Sequence, residues 1–436
     1  MQQELKKPPF VRIGDADAEC LFPGGLEYNP PARGMWNIVQ MGMLIPGAHQ
    51  VYCCAQGCLR GVVMTAAEMN AIDRLSWISL TEEDMFNGTL EQSITDGVSE
   101  IMEQLDPPPP VVLLFLSCMH LFAGCDFDAV ISDLSAAFPD TVFVDCYMTP
   151  TMRESVPPVV QTCRQMYTPL RPLPKNPKAV GLVGHDRPTD ENSELMRMLR
   201  GAGFAVRDLT LCKSYDEYLQ LADASLNLTY IPTALSAGEL LRERFGTPLL
   251  YLPNCFDADG ILENYRRLSD ALGMPCPDFT AEMQAAAQAL DDLKQEIGDM
   301  AVAVDYTAVT RPFSLAGLFL RHGIRVKYII ADTVGEDADA FFRLKQSHPD
   351  LLICAPANVN MLHQHEHPAE PVLAVGQKAA YYFASDHFVN LILNGGYYGF
   401  SGIRKIAALT AEAYRTPKDR RAVLRHKGYG CASCLL

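Results

Sequence analysis

The chain has 436 residues, with 36 basic and 52 acidic side chains, a formal charge of −16 and 14 cysteines. With 48% hydrophobic and 20% charged residues it is neither disordered nor fibrous, and at roughly 150 residues per domain its length suggests about three domains. The acidic balance excludes nucleic acid and anionic membrane as main partners, because phosphate binding needs clustered Lys and Arg.

The N-terminal stretch MQQELKKPPFVRIGDADAEC lacks the apolar segment of a secretory signal. The longest apolar run, Val111 to Gly124, is too short for a membrane and contains His120, whereas a spanning helix needs about 20 apolar residues. A cytoplasmic chain with no membrane segment is expected. In that reducing compartment the cysteines point to metal ligation, catalysis or burial rather than disulfides.

Strand-like runs alternate with helix-like ones almost throughout, as in parallel sheets joined by crossover helices. The first series predicts strands at Gln50–Cys53, Val111–Ser117 and Thr141–Cys146, and a helix at Leu90–Leu105 that Pro107–Pro110 terminate. The proline-rich, basic stretch Leu170–Lys178 reads as a linker. A second series predicts strands at Ala179–Gly184, Ala205–Leu209, Leu226–Ile231 and Pro248–Pro253. Its helix, Glu191–Arg200, has Gly201 and Gly203 where a C-cap is expected. A long polar helix, Thr280–Gly298, leads to a third series with strands Met300–Asp305, Arg325–Ala331, Leu351–Ala355 and Val372–Val375, then a helix around Ile403–Tyr414. The predicted fold is α/β, with three doubly wound Rossmann-like domains and parallel sheets: residues 1–170, 171–279 and 280–436. No residue-level repeat relates the three.

Cysteines are densest in VYCCAQGCLRG, Val51–Gly61, immediately after a strand, and a second group runs from Ser117-Cys118-Met119-His120 to Gly124-Cys125-Asp126. In a parallel sheet both loops leave at the carboxyl edge, where ligands collect. Iron–sulfur clusters need thiolates from loops that let sulfurs converge, and Gly57 beside Cys58 permits close backbone approach. Cys53, at the strand end, is expected to be core.

The order GAHQVYCCAQGC, then SLTEEDMFNGTLEQSITDGVSEI, then PVVLLFLSC followed by DFDAVISDL, resembles the component 1 family of nitrogenases, with its cofactor-maturation and tetrapyrrole-reducing relatives. RERFGTPLLYLP and NGGYYGFSGIRKIA extend the resemblance over nearly all of the chain. It implies three domains around a central cleft, and it matches Cys58 and Cys118 to two of the family's three interface-cluster cysteines. The middle one is missing, since the stretch before Thr81 reads DRLSWIS. That departure argues against an eight-iron cluster. Two thiolates per subunit across a twofold axis suit one [4Fe–4S] cluster bridging a homodimer, or a paralogous heterodimer. Cys54 or Cys125 is available to replace the missing ligand, and Cys431-x-x-Cys434 to add two more; for that terminal pair, free thiols and metal binding are equally compatible.

The strand matching the family's cofactor cysteine reads LNLTYIPTALS and has none, so a nitrogenase-type molybdenum cofactor is not expected, and any second metallocofactor at the substrate site is unspecified. His387 lies beside the family's histidine position and is read as a satisfied buried histidine. His363, His365 and His367 in LHQHEHP are read as a solvated loop. VGLVGHDRP could cradle an anion but lacks the third glycine of a dinucleotide fingerprint. With no P-loop in the sequence, the resemblance implies a separate P-loop iron–sulfur ATPase that delivers electrons. The expected function is an oxidoreductase of the nitrogenase component 1 type whose substrate is unidentified. Dinitrogen is the least expected substrate; a tetrapyrrole or a small sulfur or carbon compound rests on family analogy. A scaffold or carrier for metallocluster assembly, or a binding module without a cluster, are the alternatives. The remaining cysteines, Cys20, Cys146, Cys163, Cys212, Cys255, Cys276 and Cys354, are taken as packing.

Overall fold

The structure, a computed structural model, describes residues 10–22, 28, 38–149, 157–366 and 370–425, with the backbone alone at 363–366 and 424–425. Cys431, Cys434 and His367 lie outside the described residues, as do the side chains of His363 and His365.

The chain builds three sheets. Its first strand, β1 (Phe10–Arg12), was not foreseen; it pairs antiparallel with β12 (Leu352–Cys354), so the N-terminal segment adds an edge to the third sheet. The first sheet holds β2 (His49–Cys54), β3 (Leu75–Ser79), β4 (Val111–Leu116) and β5 (Val142–Tyr147), all parallel, in the order β3-β2-β4-β5. β2 and β4 are buried along their whole length, as strands covered by helices on both faces must be. β3 is a half-exposed edge, which is why its sequence LSWIS gives no strong apolar signal.

The second sheet repeats the layout with β6 (Asn176–Leu182), β7 (Ala205–Asp208), β8 (Ala224–Thr229) and β9 (Leu249–Tyr251), parallel in the order β7-β6-β8-β9. The expected linker is therefore shorter than read, since Asn176–Lys178 open β6. Gly201 is the last helical residue of Glu194–Gly201 rather than a cap, and the left-handed position belongs to Gly203, at φ +76°. The third sheet contains β10 (Ala301–Asp305), β11 (Val326–Ile330), β12, β13 (Val372–Val375) and β14 (Phe388–Val389), in the order β1-β12-β11-β10-β13-β14. Apart from β1, it too is parallel. The fold is thus α/β with three wound parallel sheets.

One contiguous apolar core runs through all three, from Tyr52 and Phe115 through Val180 and Leu228 to Val304 and Ile329. A smaller core on the other face of the first sheet contains Cys53, as expected. The helices Thr280–Ile297 and Gly399–Arg415 pack together beside the third sheet. No described helix is long and apolar enough to cross a membrane.

A buried carboxylate ties distant elements together. Glu194, fully buried at the start of its helix, accepts from the Ser401 backbone N–H (3.0 Å), the Ser401 hydroxyl (2.9 Å) and the Tyr265 hydroxyl (3.2 Å). Gly399 makes room for this contact, because a Cβ there would sit 1.9 Å from Tyr265 Oη. Glu194→Ala leaves several buried donors unpaired, so a loss of about 3 kcal/mol is expected. Thermal unfolding followed by circular dichroism should show a midpoint several degrees below wild type, with Glu194→Gln between the two.

Candidate functional site

The topology sets where side chains gather. In each parallel sheet, connections leave two neighbouring strands in opposite directions, opening a crevice beyond their carboxyl ends. The pairs are β2 and β4, β6 and β8, and β10 and β13.

At the first pair stand the cysteines. Cys54 ends β2 and is buried; Cys58 is exposed, not in a loop as read from sequence but in the first turn of the helix Gln56–Glu68. Cys118, half-exposed, opens the helix Cys118–Ala123 after β4. Burial, and then the neighbouring thiols of Cys58 and Cys118, push the Cys54 thiol up to about 12, so these three sulfurs share one neighbourhood. Cys125 is differently placed. Its thiol bonds to the Glu91 carboxylate, and burial together with that carboxylate pushes it up to about 12. Glu91 also accepts from the Asp126 backbone N–H (2.9 Å).

Around this edge the surface exposes large apolar side chains among polar ones such as Arg60, Glu82 and Glu83. Leu121 and Phe122, on the helix that begins with Cys118, and Phe86, on the helix Glu82–Asn87 after β3, are exposed, Phe86 to 86% and Phe122 to 74%. Beside Cys118, Ser117 Oγ and His120 Nε2 are buried without a hydrogen-bond partner. Among the described residues no three His, Cys, Asp or Glu side chains converge on a position that could hold a metal. What one chain offers is therefore a pair of accessible thiols with a buried third sulfur behind them.

The second and third crevices both line a partly open cavity of about 350 Å³. Gly184, Asp186 and Ile231–Thr233 come from the second sheet's crevice, and Tyr306, Thr310, Asp332 and Glu336 from the third's. The first part of the chain supplies Met41, Val159 and Cys163. Cys163 is buried in the core as expected, on the helix Pro158–Gln165, and also borders the cavity, its thiol pushed up to about 12 by burial and then by Asp186; Cys20 and Cys276, taken as packing from sequence, are instead exposed. Nothing in the sequence around Cys163 marks its place at the cavity. The weak candidate for an anion cradle at VGLVGHDRP is not formed: the Gly184 N–H is taken by Tyr167 Oη (2.7 Å), and the following helix is capped by Ser193. His387 is satisfied as expected, with Nδ1 2.9 Å from the Ala413 carbonyl.

Behind the wall, Lys378 is buried; its Nζ donates to Tyr306 Oη (2.6 Å), and its ammonium is held against Asp305 and Asp332. His185, between two wall residues, is 2% exposed, packs edge-on against Tyr230 with ring centroids 4.0 Å apart, and has no partner at Nε2.

Residues 38–414 match the family model described as nitrogenase component 1 type oxidoreductase. Among solved structures, nitrogenase Cp1 at pH 6.5 is similar with a TM-score of 0.68 and 15% identity, over 92% of this chain and 96% of that one. Nitrogenase Cp1 at pH 5 gives 0.60 and 14%, over 94% of each. At such identities the likeness shows the fold. No curated protein matches the sequence.

Burial depresses the His185 pKa to about 4, whereas an unfolded histidine takes up its proton near 6.5. Between those values the unfolded state binds more protons, so His185 contributes stability that is present above pH 6.5 and lost as the pH falls towards 4. Urea unfolding at pH 7 and pH 4.5 should show wild type losing more stability on acidification than His185→Gln.

Proposed function

Because the chain belongs to the nitrogenase component 1 type oxidoreductase family, we propose that it is the substrate-reducing component of a nitrogenase-like system. Cys58 and Cys118, with the same pair from a second copy, would hold one [4Fe–4S] cluster across a twofold axis, and Cys54 and Cys125 are the supplementary thiols. The observation that carries this reading is that Cys58 and Cys118 flank one sheet crevice, accessible to solvent, in a surface that also exposes Leu121, Phe122 and Phe86. Exposed apolar groups of that size mark a face covered by another chain, and an isologous contact brings each thiol pair onto its own symmetry mate.

The residues fit such a group chemically. Thiolate donors are the ligands iron–sulfur clusters use, and the paired thiols of one chain supply half of a four-thiolate set. The first turn of the thirteen-residue helix Gln56–Glu68 directs its dipole's positive end toward Cys58, which favours an anionic assembly there. His120 Nε2 and Ser117 Oγ, without protein partners, are donors available to sulfur at that edge. When bound, the cluster supplies one-electron transfer. Of the supplementary pair, Cys54 lies with Cys58 and Cys118, whereas Cys125 is committed to Glu91.

The three domains, at 1–170, 171–279 and 280–436, would divide the work: the first carries the cysteine edge, and the cavity among all three takes the substrate. The wall presents Met41, Val159 and Leu393 as apolar contacts, and Tyr306 holds a phenolic proton on it with Lys378 behind. Electrons would come from a separate P-loop iron–sulfur ATPase, since this sequence has no phosphate-binding loop of its own. Free thiols and an anaerobic cluster suit the cytoplasm. The proposed partners are this second subunit and that reductase, with no nucleic acid and no membrane.

Protein purified anaerobically from iron-replete cells is expected to carry about four iron and four sulfide per dimer. Cys58→Ala and Cys118→Ala should each abolish that content, and Cys125→Ala should retain it. Iron at background in wild type, or unchanged in both variants, would overturn the reading. Phe122→Glu should shift the protein from dimer to monomer in size-exclusion chromatography with light scattering.

A further inference from the structure

The wall of the central cavity has a charge arrangement that cluster binding does not use. Among the described residues that line it, the ionisable side chains are Asp186, Asp332, Glu336, Tyr306 and Cys163, and none is basic. The bases that pair with the acids stand one layer back. Arg187 Nη2 lies 3.1 Å from Asp186, Arg311 Nη2 3.5 Å from Glu336, and Lys378, in the field of Asp305 and Asp332, bonds Tyr306. A molecule in the cavity meets three carboxylates on its wall, whereas none of the three bases lines it. Because Coulomb interaction falls with distance and is weakly screened inside a protein, the acids dominate what it experiences.

Two buried polar atoms beside the same wall have no partner. Asn394 is fully buried; its Nδ2 donates to Thr310 Oγ1 on the wall (3.2 Å), while its Oδ1 accepts from nothing. Its chain neighbour Leu393 lines the cavity. His185 Nε2, likewise unpartnered, sits between the wall residues Gly184 and Asp186 on a ring that burial keeps neutral above about pH 4. An amide oxygen can only accept, and leaving a buried acceptor unpaired is costly, so Asn394 Oδ1, behind the wall, adds no donor that would offset its acids. Much of the remaining wall is apolar, through Met41, Val159, Ile231, Pro232 and Val334, with Thr233, Thr310 and Thr333 among them.

We propose that the central cavity binds a small protonated amine with an apolar body. The ammonium meets Asp186 and Glu336, and the body packs on the aliphatic wall. A cavity of about 350 Å³ is at the small end of ligand sites, and its acids repel polycarboxylates, which removes acid-bearing tetrapyrroles from the substrates that family analogy allows. The inference deepens the reading of the cleft as the substrate site and needs no cluster to be bound.

Isothermal titration of the full-length, anaerobically purified protein with tryptamine, tryptophol and indole-3-propionate compares a cation, a neutral alcohol and an anion on one indole body. Tryptamine should bind at least about tenfold tighter than tryptophol, with indole-3-propionate weakest. Glu336→Gln should remove most of that advantage and leave tryptophol unchanged; Asp186→Asn serves the same purpose should the first variant fail to fold. Equal or tighter binding of the alcohol or the anion, no binding of all three, or a tryptamine preference untouched in both variants would overturn the proposal. Iron content measured on the same samples separates the two readings. Selectivity for tryptamine in iron-free protein would sink the cluster and keep the amine site, and iron-loaded protein without that selectivity would do the reverse.

Discussion

Parallel strands whose connections leave in opposite directions cannot close the space beyond their carboxyl ends, and this constraint, met three times along the chain, organises everything else. Between β2 and β4 the crevice opens to the outside and holds Cys54, Cys58 and Cys118. Between β6 and β8, and between β10 and β13, the crevices face inward and share one cavity. The sheet geometry therefore separates a thiol-bearing surface edge from a cleft between the second and third sheets. An electron-relay edge and a substrate chamber, in the proposed function, are two uses of one topological feature.

Buried acids hold that interior in shape. Asp305, fully buried at the end of β10, accepts from the backbone N–H groups of Thr307 (2.8 Å), Lys378 (2.7 Å) and Ala379 (3.1 Å), and so caps the helix Gln377–Tyr382 and directs Lys378 towards Tyr306. The approach is close enough that Gly376, at φ +119°, could not carry a Cβ, which would lie 2.5 Å from Asp305 Cβ. The turn Leu393–Gly396 reaches the same wall with φ values of +47°, +60°, +62° and +80°. Two of those residues are not glycine, a conformation costing on the order of 1 kcal/mol each. The bonds Leu393 N–H to Thr307 O (2.9 Å) and Asn394 N–H to Ala308 O (2.7 Å) hold it there. Strain of this kind persists where surrounding contacts over-determine it.

The longer buried strands were legible because their residues obey one rule along their length, as in VVLLFL and AVAVD, whereas the two-residue β14, though buried, is too short to show it and was not foreseen. β3 and β1 escaped because they are edges, where LSWIS and FVR are half-exposed and pairing, rather than burial, makes the strand. The cysteine edge could be read from sequence because strand-end loops in a parallel sheet share one side, although Cys58 proved to be helical; the loop expected around it has no apolar periodicity to distinguish it from a first turn. The cavity could not. Cys163, Asp186, Asp332 and Asn394 lie in four different segments, and only the docking of the second and third crevices makes them neighbours. The glycine-rich VGLVGHDRP misled for a related reason: Gly184 serves tight packing, where a Cβ would meet Ala234 at 2.1 Å, and its amide is spent on Tyr167.

The central claim is that two thiols from each of two chains complete one four-thiolate site. Native mass spectrometry of anaerobically prepared protein measures this directly, because it counts chains and inorganic atoms in the same ion. The account predicts a dimer carrying one four-iron, four-sulfur cluster, and apo monomers when Cys58 is replaced by Ala. A cluster retained on single chains, or a wild-type dimer free of iron after iron-replete expression, would contradict it.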